Sequence, residues 1–182
     1  MDDHELLARL REGDQAAFDE LFRVWYPALV RFAEGMLRDR AAAEEVAQEA
    51  MVELWRRREQ LAPDGSARAY LFQSTRNRAL NHIRHLRVRE RAAEHLAPAA
   101  ESTPTAHSRV VEAELEAAIR AAVAGLPDRC REVFELSRRH GLRYAEIAAT
   151  LGISVKTVEA QMGKALRTLR EKLASWLPGG SG

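Results

Sequence analysis

Apolar residues recur every three or four positions along most of the chain, and the interruptions fall at Gly, Pro and short polar runs. That spacing is helical. A first short helix is expected from Asp2 or Asp3 through Arg11, with Leu6, Leu7 and Leu10 on one face and Gly13 as its stop. Asp14 is placed to cap a second, along which Phe18, Leu21, Phe22, Trp25, Leu29, Phe32, Met36 and Leu37 repeat. Pro27 lies inside that repeat and is expected to bend or split it, because proline lacks the N–H an interior position donates. A third helix is expected from Ala41 to about Glu59, with Val46, Ala50, Leu54 and Trp55 inward. Pro63-Asp64-Gly65-Ser66 reads as a loop, followed by a fourth helix from about Ala67 to Arg91 on which Tyr70, Leu71, Leu80 and Ile83 are apolar.

The repeat dissolves between Leu96 and Ser108, where two prolines and small polar residues read as a tether. It resumes with Val110, Leu115, Ile119 and Val123, running to Gly125. Pro127 sits where a first-turn proline opens a helix, expected through about Arg139 and ended by His140-Gly141. Two more helices are expected, Tyr144–Thr150 and Ser154–Trp176. The fold class is therefore all-α: two small helical domains, residues 1–93 and 109–177, joined by a flexible linker at 94–108, with a tail at 178–182.

Composition narrows the class. The chain has 182 residues, of which 46% are hydrophobic and 30% charged, a globular rather than disordered balance. Aromatics are only 6%, which favours helix over sheet. The single cysteine, Cys130, rules out an internal disulfide or a multi-thiolate zinc site, and it reads as a small buried apolar residue. No metal or cofactor is expected. The six histidines are scattered along the chain and are expected at the surface or near phosphates. No apolar run approaches the roughly 20 residues of a membrane span, and the first residues are acidic where a secretory signal would be basic. A cytoplasmic protein without membrane insertion is expected.

Charge is uneven. Residues 1–60 carry nine basic and fourteen acidic side chains, whereas 61–108 and 109–182 are each net +3. The acidity concentrates in Glu44, Glu45, Gln48, Glu49 and Glu53, which share an exposed helix face that repels DNA and attracts a basic protein. The fourth helix carries Arg68, Arg76, Arg78, Arg84, Arg87, Arg89 and Arg91, a density suited to phosphate. Asn77 and Asn81 share a face among them, and an Asn side chain can both donate to and accept from a base edge. Tyr70 could stack on an unpaired base or serve the core.

Residues 143–158 give the sharpest signal: two short helices, a small residue (Ala148) where they approach, a glycine turn (Gly152) and an N-cap (Ser154). Ile147, Leu151, Ile153 and Val158 are expected to bury together. In a helix-turn-helix the start of the second helix enters the major groove, which points to Lys156, Thr157, Glu159, Ala160, Gln161, Gly163 and Lys164. Glu159 can accept from a cytosine amino group or discriminate against other bases.

The order of these parts resembles the extracytoplasmic-function (ECF) sigma factors of the bacterial sigma-70 family. The resemblance rests on Gly13-Asp14-Gln15-Ala16-Ala17-Phe18 with Tyr26-Pro27, and on Ala43-Glu44-Glu45-Val46-Ala47-Gln48-Glu49 leading to Leu54-Trp55. It continues through Ala69-Tyr70-Leu71-Phe72 with Arg76-Asn77 and Ile83-Arg84, and Leu126-Pro127 with Arg131-Glu132-Val133-Phe134. Tyr70 stands where the family usually has Trp, and Asn81 where it has Asp. The resemblance implies a non-enzymatic subunit that binds core RNA polymerase and directs promoter-specific initiation. Glu45, Gln48 and Glu49 would dock on the basic clamp helices of the polymerase's largest subunit. Ser66, Arg68, Tyr70, Arg76, Asn77 and Arg84 would capture melted −10 DNA. Arg143, Lys156, Thr157, Glu159, Gln161 and Lys164 would read the −35 duplex. Promoter DNA and an anti-sigma factor are the further partners implied.

Two other classes fit the sequence less well. A regulator with a LuxR-like DNA-binding end shares the Val-Lys-Thr-Val-Glu phrase, but residues 1–93 show no alternating strands or phosphoacceptor pocket to serve as its sensor. An enzyme with an accessory DNA-binding domain lacks any nucleophile–base or metal-ligand spacing.

Overall fold

The computed structural model describes residues 3–92 and 110–177, so the tether and tail expected at 94–108 and 178–182 lie outside the described residues. Among the described residues there are eight α-helices, two single 3-10 turns and no strand. They group into two compact units, Met1–His95 with Ala145–Ile153, and Leu96–Tyr144 with Ser154–Gly182.

In the first unit, α1 (Asp3–Arg11) ends at Gly13, whose φ of +83° places it in the left-handed region that glycine enters without steric cost. Asp14 caps α2 (Gln15–Leu37), accepting from the Ala16 and Ala17 N–H groups. The Arg9 guanidinium donates to Asp14 Oδ2 at 2.8 Å, and with those N–H bonds it holds the carboxyl below the usual carboxylate range. Of the expected bend or split at Pro27, the split does not occur, and α2 runs through Pro27 as one helix. Proline removes one backbone bond, but the helix is anchored beyond it by buried Leu29, Val30 and Ala33 and before it by buried Ala17 and Leu21.

Arg38 and Asp39 turn the chain into α3 (Arg40–Arg56), with Asp39 accepting from the Ala42 N–H. The helix is shorter than expected, and residues 58–60 form a 3-10 turn instead. Arg58 fixes that turn: its guanidinium lies 4.6 Å from the Trp55 ring centroid and donates to the Trp55 carbonyl at 2.9 Å. Trp55 is half-buried rather than core, with the Phe18 ring 5.1 Å away. Helices α2, α3 and α4 (Ala67–Ala92) pack on one another, burying Val46, Ala50, Leu54, Leu71 and Phe72. Phe72 meets Phe32 with ring centroids 5.2 Å apart. Only the first half of α4 belongs to this core; every residue from Arg84 to Ala92 is exposed.

In the second unit, α5 (Val110–Ala124), α6 (Asp128–Arg138) and α8 (Val155–Lys172) share a small core of Ala122, Leu126, Cys130, Ala165 and Leu169. Pro127 occupies the cap position of α6, one place before the expected first turn. Ile119 is 41% exposed, because Ala122 and Val123 rather than Ile119 face that core. Gly141, at φ +68°, ends α6, and the Leu142 N–H returns to the Leu136 carbonyl at 3.0 Å.

Candidate DNA- and polymerase-binding surfaces

The helix-turn-helix is built locally as its sequence demands. Helix α7 (Tyr144–Leu151) ends at Gly152, φ +66°, and the Ile153 N–H bonds the Ala148 carbonyl at 3.0 Å. Ser154 then caps α8, its Oγ accepting from the Thr157 N–H at 3.1 Å. Ile147, Leu151 and Val158 are buried, while Ile153 is only half-buried. Lys156, Thr157, Glu159, Ala160 and Lys164 are all exposed, as is Arg143 before α7. Gln161 and Gly163 are half-buried. The buried Cys130 thiol donates to Gln161 Oε1 at 2.9 Å, so the core holds this side chain by its carbonyl oxygen.

Helix α3 presents Glu44, Glu45, Gln48 and Glu49 outward, opposite buried Val46, Ala47 and Ala50. The alternation follows helical period: acids at i and i+4 on one face, small apolar residues on the other. Two of these acids have partners, Glu44 with Arg40 at 2.9 Å and Glu49 with Arg78 at 3.1 Å. Both pairs are exposed and so contribute little to stability.

Helix α4 carries the basic surface. Asn77, Asn81, Arg84, Arg87, Arg89 and Arg91 are exposed; Tyr70, Arg76 and His82 are half-buried. Burial pushes the Tyr70 phenol upward, keeping it neutral. An open cleft of about 330 Å³ lies here, lined by Glu53 of α3 and Arg57 just after it, with Tyr70, Gln73, Asn77 and Arg78 from α4. Tyr70, Asn77 and Arg78 were legible as candidates, and Glu53 only as part of the acidic face of α3, where it is in fact half-buried; Gln73 and Arg57 were not, because no local pattern ties them to this cleft.

Ser66 and Arg68 start α4. Ser66 Oγ accepts from the Ala69 N–H at 3.1 Å and donates to Glu146 Oε1 at 2.9 Å. Arg68 donates to Glu146 Oε2 and lies over the Trp25 ring, 4.9 Å from its centroid. Glu146, on α7, is 4% exposed. Sequence reasoning missed this residue, whose signal is a lone acid in an otherwise small and apolar helix. Among the described residues, no cluster of His, Cys, Asp or Glu could hold a metal ion, and no helix is long and apolar enough to cross a membrane.

The described residues thus combine helical bundling, an acidic helix face, a basic helix and a helix-turn-helix. Residues 21–89 match Sigma-70 region 2, and residues 116–169 match Sigma-70, region 4. The RNA polymerase sigma factor CnrH of Cupriavidus metallidurans is 32% identical, the match covering 96% of this chain and 94% of that protein. A solved structure of CnrH in complex with the cytosolic domain of CnrY superposes with a TM-score of 0.65 at 27% identity, covering 95% of this chain and 97% of that one. The ECF RNA polymerase sigma factor SigK of Mycobacterium tuberculosis is 28% identical, covering 92% of this chain and 91% of that protein. The probable RNA polymerase sigma factor RfaY of Xanthomonas campestris is 31% identical over 93% of this chain, which spans 44% of that protein's length. The chain belongs to the sigma-70 family of RNA polymerase sigma factors, in its ECF group. This is a family of transcription initiation factors rather than catalytic enzymes.

Proposed function

We propose that this chain docks on core RNA polymerase through Glu45, Gln48 and Glu49, reads a −35 duplex through α8, and captures melted −10 DNA with α4 and its preceding loop. Residues 1–93 and 109–177 act as the two functional domains in this reading, joined by 94–108, and the protein works in the cytoplasm. The observation that carries it is the segregation of surfaces. One exposed face of α3 is acidic, whereas α4 and α8 expose basic and amide side chains suited to phosphates and bases.

The mechanism is binding rather than bond chemistry. Phosphate contacts fix register and base contacts specify sequence. Thr157, Glu159 and Lys156 stand at the start of α8, the part of a recognition helix that reaches base edges. Arg143 and Lys164 add positive charge near the backbone. In the −10 region Asn77 and Tyr70 line a cleft open enough to receive an unstacked base, and Arg76 and Arg84 supply charge along the strand. Unstacking costs a few kcal/mol per base, so docking on the polymerase must help hold the strands apart. Glu45, Gln48 and Glu49 suit the basic clamp helices of the largest polymerase subunit. An anti-sigma factor is a further partner, in keeping with the CnrH–CnrY complex.

Lys164→Ala tests the assignment of α8. Lys164 is exposed and outside the small core, so the fold and polymerase binding are expected to stay unchanged. The salt dependence of holoenzyme binding to a −35 duplex is expected to flatten by about 0.9 in the log–log slope, the value for one lost phosphate contact on duplex DNA. An unchanged slope and affinity would remove Lys164 from the interface.

A further inference from the structure

The start of α4 holds an anion supplied by the chain itself. The Glu146 carboxylate is almost wholly buried, its two oxygens taken by the Ser66 hydroxyl and the Arg68 guanidinium. Arg68 is in turn seated over Trp25, which fixes the guanidinium and limits the entropy lost on binding an oxyanion. Ser66 is oriented by its bond to the Ala69 N–H, in the first turn of a 26-residue helix. That end of a helix carries partial positive charge and favours anions. A hydroxyl donor, an arginine fork and a helix start form a fitting receptor for a phosphate oxygen. A carboxylate is the group a protein chain has that most resembles one.

Glu146 is therefore a competitor. We infer that Ser66, Arg68 and the first turn of α4 form a backbone-phosphate site for the melted promoter strand, and that Glu146 occupies it in the DNA-free chain. The inference rests on the −10 reading above and adds to it a named ligand group and a regulation. Binding DNA requires the carboxylate to leave, so the free chain holds single strands weakly, and α7, the first helix of the helix-turn-helix, is released in the same step. A phosphate that takes the Arg68 guanidinium and the Ser66 hydroxyl removes both of these contacts from the buried Glu146 carboxylate, which raises the cost of keeping it buried. The two anions thus compete for the same donors, the Arg68 guanidinium and the Ser66 hydroxyl.

The test uses the full chain and a fluorescein-labelled 12-nucleotide oligothymidylate, which offers phosphates without promoter sequence, followed by anisotropy at two salt concentrations. Glu146→Gln keeps the shape and a hydrogen-bonding oxygen but removes the charge. It is expected to tighten binding about tenfold, the scale of one charged competitor in a partly buried site. Glu116→Gln, an exposed acid on α5, removes the same net charge and is expected to change binding less than twofold. Arg68→Ala/Glu146→Gln is expected to lose the gain. Circular dichroism and thermal melting confirm that each variant is folded. No gain in Glu146→Gln, or a gain that survives loss of Arg68, overturns the inference. Promoter opening by the holoenzyme separates this outcome from failure of the −10 reading: if Arg68→Ala leaves opening intact, the −10 assignment of Arg68 fails as well. If opening is lost while Glu146→Gln shows no gain on the free chain, only the competition fails.

Discussion

Replacing Glu45 and Glu49 together by lysine is expected to lower the affinity of the chain for core RNA polymerase on the order of 100-fold, read by equilibrium binding to labelled polymerase. Both side chains stand on the exposed face of α3, and the buried face of the same helix is untouched. Reversing two charges turns attraction to a basic partner into repulsion, and juxtaposed like charges at an interface cost several kcal/mol. Glu49 also pairs with Arg78 at 3.1 Å; losing an exposed pair of this kind changes stability by at most about 1 kcal/mol. The variant should thus melt close to the parent temperature while failing to dock. Affinity within twofold of the parent would place the polymerase contact elsewhere.

Phe72→Ala has the largest expected effect on stability. The ring is fully buried between α2 and α4, against Phe32, and neither neighbouring helix can collapse into the space without moving the other. A loss of about 3–5 kcal/mol is expected for deleting such a ring, read as a lower urea midpoint for the first unit. Polymerase binding should fall with the fraction folded and return when the temperature is lowered. A loss below about 1 kcal/mol, typical of a surface position, would contradict the packing described.

How far the sequence revealed this depends on whether the information is local. Caps and stops were legible because each acts within a few residues: Asp14 on Ala16 and Ala17, Ser154 on Thr157, Gly141 and Gly152 at positive φ. Exposure of Glu44, Glu45, Gln48 and Glu49 on α3 and of the start of α8 followed from helical period alone, whereas Glu53 is half-buried. A split at Pro27 does not follow from the proline's local penalty, because buried residues on both sides keep α2 one helix. The end of α3 was misplaced because Arg58, held over Trp55, tightens the chain into a 3-10 turn that no periodicity encodes. In α4 the expected apolar face of Tyr70, Leu80 and Ile83 is half-buried, and the small residues Ala67, Ala69 and Ala79 supply buried positions with Leu71 and Phe72. Glu146 with Ser66 and Arg68, and Gln161 with Cys130, join residues distant in sequence. Such pairings leave no mark on spacing, since they arise only once the chain is folded.

The central claim is that this chain gives core polymerase a promoter. The direct measurement is run-off transcription with purified core RNA polymerase on a template library randomised at −35 and −10, with and without the chain. Transcripts are expected only when it is added, from a restricted subset of templates sharing sequence at both elements. Transcription that is equally selective without the chain, or a chain that neither binds the polymerase nor raises any transcript above the core enzyme alone, would contradict the account.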